Sequence, residues 1–330
     1  MKYSAIAIVC LFTLSCGTSV PVYKRADAPI EKRVEDLLSR MTLEEKILQM
    51  NQITLGKNLN ENNIGNETAE PVLGSYITYV ATDSEDLNAM QHRAVEETRL
   101  GIPVLFGYDA VHGFRTTYPI PLAQACSWNP ELVEKACAVS ARETRMTGIH
   151  WTFSPMVDIA RDGRWGRCAE GYGEDPYTAS VFCTASVRGY QGEDLSDSTK
   201  VASCIKHYIG YGASEGGRDY VPTEISDQTL WGTYMPPYQA GIAAGAASVM
   251  SSFNSINGKP VTSDRHLLTD VLKERFGWGG MVVSDYDAVK QLVYQGAAAD
   301  HKECAMSAVN GVKVVRVPWD YDIRNALCWR

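Results

Sequence analysis

Segments with the periodicity of helices alternate with short apolar segments along almost the whole chain, and this order limits the folds that it can adopt. The apolar segments that predict strands, the last of them weakly, are 74–80, 102–107, 151–156, 201–205, 247–252, 281–283 and 312–317. The segments that predict helices are 30–39, 42–50, 84–99, 129–147, 176–190, 227–244, 264–276 and 287–309. Strands that alternate with helices predict a parallel sheet with the helices outside it.

Polar side chains follow several of the predicted strands at the point where each strand ends. These side chains belong to Asp109, Asp158, Lys206 and His207, Asn254, and Asp285. In a (β/α)8 barrel the C-terminal ends of the parallel strands converge on one mouth, where catalytic groups lie. The predicted fold class is therefore α/β, a TIM-like (β/α)8 barrel whose last strand is uncertain.

Asp285 follows the apolar run 281–283 and stands between Ser284 and Tyr286. Its carboxylate can face a substrate at the barrel mouth, or it can cap the helix that follows. An open doubly wound sheet shows the same alternation, but the glycine patterns of nucleotide-binding loops do not follow the early strands. Nucleotide binding is therefore disfavoured, and the barrel is preferred.

The charge balance argues against a nucleic-acid partner. The chain has 330 residues, a formal net charge of −8 and a pI of about 5.3, with Lys and Arg scattered among acidic residues. No basic face is indicated, and an acidic enzyme fits this composition better. A barrel of this length can form one large domain.

The N-terminus predicts export. Lys2 is followed by an apolar run, 6–12, that is too short to span a bilayer and is typical of a secretory signal peptide, expected here over 1–20. The segment 13–17 is similar to a bacterial lipoprotein cleavage box with Cys16 as the lipidated residue, although Thr13 stands where leucine is usual. Lipidation and ordinary cleavage remain open, so we expect a periplasmic protein or a membrane-anchored lipoprotein of a bacterium.

The cysteines do not indicate a disulfide scaffold. Of the nine cysteines, Cys10 and Cys16 lie in the predicted leader, which leaves seven, an odd number without regular spacing or a C-x-x-C pair. We expect them to act as small buried apolar residues. Neither a metal-ligand spacing nor a G-x-S-x-G elbow occurs, so no metal and no cofactor is predicted.

A glycine-rich loop, 163–176, combines charged and aromatic side chains in a mixture that suits a sugar. Arginine offers forked donors to hydroxyl groups, aromatic rings offer flat apolar faces, and carboxylates accept from hydroxyls or hold the arginine. The alternative is an ion-pair network that braces the loop, and we prefer it for Glu174, Asp175 and Pro176 at a predicted helix start. Arg164 is assigned to the substrate.

Lys206 and His207 stand side by side at the predicted mouth and are expected to bind hydroxyl groups. Lys206 is also similar to the Schiff-base lysine of class I aldolase barrels, which lies on a strand. That chemistry needs a lowered lysine pKa in apolar surroundings, and the adjacent His207 and polar loops argue against it. His150 is interpreted as a structural residue.

Six motifs follow one another along the chain, namely FGYDAVHG (106–113), GRWGR (163–167), GEDP (173–176), CIKHY (204–208), SFNSING (252–258) and VSDY (283–286). Across about 30–310 their order and spacing resemble those of glycoside hydrolase family 3, in its β-glucosidase and exo-β-glucan hydrolase branch. Several motifs in sequence are far more specific than any one alone. The resemblance implies that 21–310 form the barrel domain of this family and that 311–330 are an atypical tail.

The resemblance also implies a role for each site residue. Asp285 is the expected nucleophile of a hydrolysis with retention, in which a second carboxyl group protonates the leaving oxygen. Tyr286 stands where the family often has tryptophan and would supply a stacking face. The residues expected to hold the hydroxyls of the sugar are Asp109, Arg164, Lys206 and His207.

The chain departs from the family pattern at the acid/base residue and at its end. In two-domain members the acid/base glutamate comes from a second α/β sandwich domain that follows the barrel, and we expect no such domain within these 330 residues. Single-domain members use an Asp-Ser-His loop after the Lys-His strand, whereas 210–220 contain no such triplet, and 311–319 differ from the usual last strand. We therefore expect a β-glucosidase-type enzyme for β-glucosides or oligosaccharides whose acid/base residue is missing, or a non-catalytic sugar-binding remnant.

Overall fold

The computed structural model describes residues 20–55, 73–78 and 84–309, together with the backbone of 315–316. Almost all of the predicted signal peptide, including Cys16, lies outside the described residues, as does most of 311–330. No helix within the described ranges is long and apolar enough to cross a membrane. The chain divides by its internal contacts into two units, 1–43 and 44–330.

The first unit, where it is described, consists of a short 3₁₀ helix, Val22–Lys24, and the helix α1, Ile30–Arg40. The backbone N–H of Tyr23 donates to the Asp36 carboxylate at 3.0 Å. The Arg33 side chain donates to the Tyr23 carbonyl at 3.1 Å. These two bonds hold the 3₁₀ helix against α1.

The second unit is built on parallel strands. In chain order, its strands are β1 Asn51–Leu55, β2 Ser75–Thr78, β3 Leu105–Tyr108, β4 Trp151–Thr152, β5 Cys204–Tyr208, β6 Ser248–Ser251, β7 Ser255–Ile256, β8 Lys259–Pro260, β9 Met281–Ser284 and β10 Val315–Arg316. The order β10-β1-β2-β3-β4 forms one sheet and β5-β6-β9 a second, while β7 and β8 form a hairpin. Parallel bridges from Trp151 to Ala202 and from Met156 to Lys206 join β4 to β5.

The parallel strands therefore follow the order of a (β/α)8 barrel. β10 pairs with β1 and lies beside β9, so the first and last strands are neighbours. The predicted fold class is confirmed.

Helices connect successive strands. The α-helices are α2 Leu43–Gln49, α3 Ser84–His92, α4 Pro121–Ala125, α5 Pro130–Met146, α6 Pro176–Gln191, α7 Asp227–Thr229, α8 Pro236–Ala243, α9 Gln291–Tyr294 and α10 His301–Ala308. Segments of π-helix are Arg93–Glu97, Leu230–Tyr234 and His266–Arg275, and further 3₁₀ turns are Cys168–Glu170, Tyr211–Ala213, Glu215–Gly217 and Val261–Ser263. Asp175 caps α6 by accepting the Thr178 N–H at 2.6 Å, whereas the sequence analysis preferred an ion-pair network for it. Pro176 is the first helical residue, as the predicted helix 176–190 requires.

Several elements differ from the sequence prediction: α4, β7 and β8 were not predicted, and β5 lies three residues beyond the predicted strand 201–205. β1 was not predicted, because Asn51 and Gln52 are polar and follow a helical pattern directly, yet both are buried. The predicted helix 287–309 is two helices, since Gly296, with φ of 70°, lies between them in the left-handed region. The predicted strand 312–317 is described only as Val315–Arg316, in parallel register with β1.

The outer helices pack closely because small residues lie at their contacts. A Cβ atom on Gly189 of α6 would lie 2.4 Å from the Glu134 carbonyl oxygen of α5. A Cβ atom on Gly241 of α8 would lie 2.8 Å from the Cys183 sulfur of α6. Four of the described free cysteines are buried as expected, whereas Cys126 is exposed and Cys168 is half-buried.

His150 lies next to the barrel wall and has a structural role. Its Nδ1 accepts the backbone N–H of Phe106 at 3.2 Å, and its ring stacks on the Phe106 ring with centroids 5.9 Å apart. Burial, and secondly the charge of Arg145, lower the pKa of His150 from 6.5 to about 4. The neutral imidazole is therefore part of the folded state.

We expect the free energy of unfolding to fall as the pH drops from 6.5 to about 4, because only the unfolded chain binds a proton at His150 there. The loss from this residue is about 2 kcal/mol after a discount for its partial exposure. His150→Asn keeps an acceptor for the Phe106 N–H and should reduce the slope, measured by urea unfolding at several pH values. An unchanged slope in the variant would contradict this role.

Candidate active site

β5 places two ionisable side chains at its C-terminal end. All five residues of β5 are buried, and the Lys206 side chain is only 5% exposed. Its Nζ lies 2.5 Å from Oδ1 of Asp109, which follows β3 and is 27% exposed. A buried ammonium group requires such a partner, because an unpaired charge is strongly unfavourable away from water.

His207, the next residue, is held between two carboxylates. The Val157 N–H donates to the Lys206 carbonyl at 2.7 Å, which brings Asp158 beside the end of β5. Oδ2 of Asp158 accepts the backbone N–H of His207 at 2.9 Å and lies 2.7 Å from its Nδ1. On the other side of the ring, Nε2 lies 3.3 Å from Oδ2 of Asp285.

Asp285 lies directly after β9 and is 5% exposed. Its Oδ1 accepts the N–H of Tyr286 at 2.6 Å. The next helix, α9, begins only at Gln291, so Asp285 does not cap a helix. The Tyr286 side chain adjoins it and is 41% exposed.

Arg167 is the guanidinium group that reaches this cluster. Its Nη2 lies 3.2 Å from Nε2 of His207, and Glu170 binds it through two oxygens at 2.6 and 2.9 Å. Burial lowers the pKa of Arg167, but the hydrogen bonds and charge of Glu170, with the charge of Asp285, outweigh burial and raise it. The group therefore stays a cation and a donor.

Arg164 is placed differently from the sequence expectation. Its side chain is 74% exposed and forms an ion pair with Asp162 at 2.6 Å. Hydrogen bonds from Arg164 lower the pKa of Asp162 to about 2. The ion-pair alternative considered for this loop thus describes Arg164, whereas Arg167 lies among the buried ionisable groups.

Aromatic side chains form one wall beside His207. The Tyr211 ring meets the His207 ring edge to face with centroids 5.3 Å apart, and Phe253 lies 5.5 Å from Tyr211. The Tyr211 hydroxyl and the Trp165 Nε1–H, the latter at 3.1 Å, both donate to Oδ1 of Asp219. Burial, then the bond to Asp219, raises the Tyr211 pKa, so this hydroxyl is neutral.

Among the predicted site residues, Asp109 contacts Lys206 and Asp285 contacts His207, the next residue of β5. No role was assigned in the sequence analysis to Arg167, Asp158, Tyr211 and Asp219. A signal existed for the first two, since Arg167 belongs to the same motif as Arg164 and Asp158 is a polar residue after a strand. No cluster of three or more His, Cys, Asp or Glu suited to a metal ion occurs in the part of the chain that the structure describes.

The arrangement combines a buried carboxylate with cationic and neutral hydrogen-bond donors at the C-terminal ends of parallel strands. Residues 42–322 match the model of the glycosyl hydrolase family 3 N-terminal domain. The chain belongs to glycosyl hydrolase family 3. The match includes the first part of 311–330.

Curated relatives in family 3 are longer proteins. The chain is 41% identical over 276 residues to a periplasmic beta-glucosidase of Salmonella typhimurium, covering 84% of this chain and 36% of the relative. It is 33% identical over 302 residues to a putative beta-xylosidase of Formosa agariphila, covering 85% of this chain and 40% of the relative. The chain thus spans about two fifths of their length.

Solved family 3 structures have the same fold. A beta-glucosidase from Listeria innocua in complex with glucose superposes with a TM-score of 0.80 at 37% identity, covering 87% of this chain and 42% of that one. A beta-glucosidase involved in saponin metabolism from intestinal bacteria gives a TM-score of 0.76 at 38% identity, with 86% and 38% covered.

The pairing of Lys206 with Asp109 predicts an asymmetric response to mutation. Asp109→Ala leaves a buried ammonium group uncompensated and should lower the free energy of unfolding by about 3 kcal/mol. Lys206→Met should cost less, because the Asp109 carboxylate is 27% exposed and can be hydrated. Urea unfolding of both variants tests this, and the double variant should recover most of the Asp109→Ala loss. Equal losses in the two single variants would exclude a dominant buried-charge effect.

Proposed function

We propose that this chain acts as a retaining glycoside hydrolase of the β-glucosidase type, with Asp285 as the nucleophile. The position of the Asp285 carboxylate carries the proposal. It is buried at the end of β9, 3.3 Å from Nε2 of His207, and interacts with the charge of Arg167. A cation nearby favours the ionised carboxylate that nucleophilic attack requires.

In the proposed reaction an Asp285 oxygen forms a bond to the anomeric carbon while the bond from that carbon to the leaving oxygen breaks. Water then attacks the glycosyl-enzyme and releases the sugar with retained configuration. A second carboxyl group acts first as an acid on the leaving oxygen and then as a base on water. We assign this second role to none of the described residues.

The neighbouring polar groups suit the hydroxyls of one sugar ring. Lys206 and Arg167 are donors, and the Asp109 carboxylate accepts. We assign to Arg167 the sugar contact that the sequence analysis expected for Arg164, because Arg167 lies 3.2 Å from His207 whereas Arg164 is 74% exposed. Tyr286, beside the nucleophile and partly exposed, offers an aromatic face for stacking.

The proposed substrates are β-glucosides and oligosaccharides that end in β-linked glucose. Relatives called beta-glucosidase support glucose, and the Listeria enzyme has also been solved, as a mutant, with laminaribiose. A beta-xylosidase name among the relatives supports xylose as the competing sugar. The two sugars differ by one hydroxymethyl group, which a pocket distinguishes by only about 1–3 kcal/mol.

We also propose that the protein is exported to the periplasm. The apolar segment near the N-terminus supports this, and so does similarity to a relative named periplasmic beta-glucosidase. A lipid anchor at Cys16 is part of the proposal, supported by the cleavage-box pattern of 13–17.

We expect a 2-deoxy-2-fluoro-β-glucoside with a dinitrophenolate leaving group to add one fluoroglucosyl unit to Asp285. This leaving group departs without a proton donor, so the experiment reports on the nucleophile alone. Intact-mass measurement detects the adduct, and peptide mapping locates it. Asp285→Asn should form none, while Asp162→Asn, which changes a carboxylate in an ion pair away from the site, should react normally. A folded, glucose-binding protein without an adduct would point to a sugar-binding remnant.

The two arginines of the GRWGR motif should differ in their effect on this reaction. Arg167→Gln should slow adduct formation at least about 10-fold, because a charge-assisted hydrogen bond inside the site is lost. Arg164→Gln is the matched control and should change the rate less than about 2-fold, since that side chain lies in solvent. The rate comes from mass spectra over time, and a larger effect of Arg164→Gln would favour the original sequence assignment.

A further inference from the structure

Asp158 is a buried carboxylate that none of the proposed chemical steps uses. It is 3% exposed and its partners are the backbone and ring of His207 and the hydroxyl of Tyr238. We propose that Asp158 is a positioning residue, which holds the His207 imidazole with its proton on Nδ1 and thereby presents the Nε2 lone pair to Arg167 beside Asp285. The effect on catalysis rests on the proposed function, whereas the position and the tautomer of His207 do not.

The contacts of His207 with Asp158 and Arg167 favour one of its two neutral tautomers. Oδ2 of an ionised Asp158 only accepts, so Nδ1, 2.7 Å away, must donate to it. The guanidinium group of Arg167 only donates, so Nε2, 3.2 Å from its Nη2, must accept. A proton on Nε2 instead of Nδ1 would place two donors against each other at Arg167 and two acceptors against each other at Asp158. It would gain only the longer contact with Oδ2 of Asp285, at 3.3 Å.

The backbone determines which carboxylate oxygen faces the ring. The His207 N–H donates to the same Oδ2 at 2.9 Å, so this oxygen is fixed by a main-chain group as well. The Tyr238 hydroxyl donates to the His207 carbonyl at 2.6 Å and lies 3.4 Å from Oδ1 of Asp158. The backbone N–H of His207 is thus bound to Asp158, and its carbonyl is bound to Tyr238.

The consequence lies at Asp285. Its Oδ2 is 3.3 Å from Nε2, so an imidazolium would donate a hydrogen bond to the nucleophile and occupy an oxygen that must attack. The neutral tautomer does not donate to that oxygen, and the charge of Arg167 acts on the same carboxylate. Four groups contact the imidazole ring directly, namely Asp158, Arg167, Asp285 and the ring of Tyr211. Two further charged residues are near it: Glu170 pairs with Arg167, and Lys206 precedes His207 in the chain.

The charge of Asp158 has a second effect. Burial raises the pKa of Asp158 to about 7, although the His207 N–H and the charge of Arg167 act in the opposite direction. Asp158 and His207 are in contact and titrate together, so their shared proton belongs to the pair. A carboxylate next to an imidazole favours the imidazolium, so loss of the charge at position 158 should make protonation of His207 harder.

The first test needs no substrate. Histidine labelled with ¹⁵N in the full chain is observed by long-range ¹H–¹⁵N NMR at about pH 8.5, and the His207 signals are assigned by their absence from His207→Gln. We expect Nδ1 to carry the proton and Nε2 to show the shift of a bare nitrogen. A proton on Nε2, or exchange between both tautomers, would overturn the proposal without bearing on whether Asp285 is a nucleophile.

Asp158→Asn separates position from charge. The amide oxygen can occupy the place of Oδ2 and accept both His207 N–H groups, while its NH₂ faces the Tyr238 oxygen. We therefore expect the Nδ1 proton to remain and the pH midpoint of His207 protonation to fall by about one unit or more. Tyr238→Phe is the control, because it removes a neighbouring hydroxyl without changing charge, and its midpoint should move by less than half as much. An unchanged midpoint in Asp158→Asn would refute the role of Asp158.

The catalytic consequence is read from the pH profile of fluoroglucosyl transfer to Asp285. In Asp158→Asn the acid limb of the rate should move to lower pH together with the His207 midpoint, which a purely structural role would not produce. An acid limb that stays in place while the midpoint moves would separate His207 from catalysis and contradict the positioning role. If the unmodified protein forms no adduct, the proposed function fails, and the tautomer and midpoint still decide the role of Asp158.

Discussion

Two ionisable side chains in succession, Lys206 and His207, lie at the end of a strand that is buried along its whole length. Charges and polar nitrogen atoms cannot be left there without partners, because desolvation without a hydrogen bond is expensive. Their partners come from other strands of the barrel, Asp109 after β3, Asp158 after β4 and Asp285 after β9. The need of Lys206 and His207 for hydrogen-bond and charge partners therefore accounts for the positions of three carboxylates in the site.

The parallel barrel makes this possible, because it brings the carboxyl ends of its strands to one mouth. The parallel bridge from Met156 to Lys206 fixes the segment after β4 in register with β5. Asp158, two residues beyond that bridge, then meets the backbone and the ring of His207. The register of the sheet, more than any flexible loop, positions the imidazole.

The loop after Asp158 shows how two residues of one motif acquire different environments. Arg164 pairs with Asp162 in solvent, where such a pair contributes little. Arg167 is more buried and donates two hydrogen bonds to Glu170. Its guanidinium group lies 5.6 Å from the centroid of the Tyr211 ring. Glu170 thus fixes the direction of the guanidinium fork.

The sequence by itself determined the class of fold and the strand ends that carry the site. Alternating periodicities predicted the parallel barrel. The C-terminal ends of parallel strands meet at one mouth, so the polar residues near the ends of the predicted strands could be named as site residues. These were Asp109, Lys206, His207 and Asp285. The family motifs could also be recognised, because their order and spacing are properties of the sequence itself. β1 was not predicted, because its first residues, Asn51 and Gln52, are polar and become buried only when the chain folds.

Only the tertiary structure shows that Arg164 is exposed while Arg167 lies beside His207, and that Asp158 binds His207. Both arginines have the same chemistry and lie in one short loop, so their difference depends on which way the folded loop turns. The tautomer of His207 likewise depends on groups that are 49 and 40 residues away in the chain. Sequence patterns report local periodicity, whereas the direction of a side chain and its distant partners are set by packing between elements.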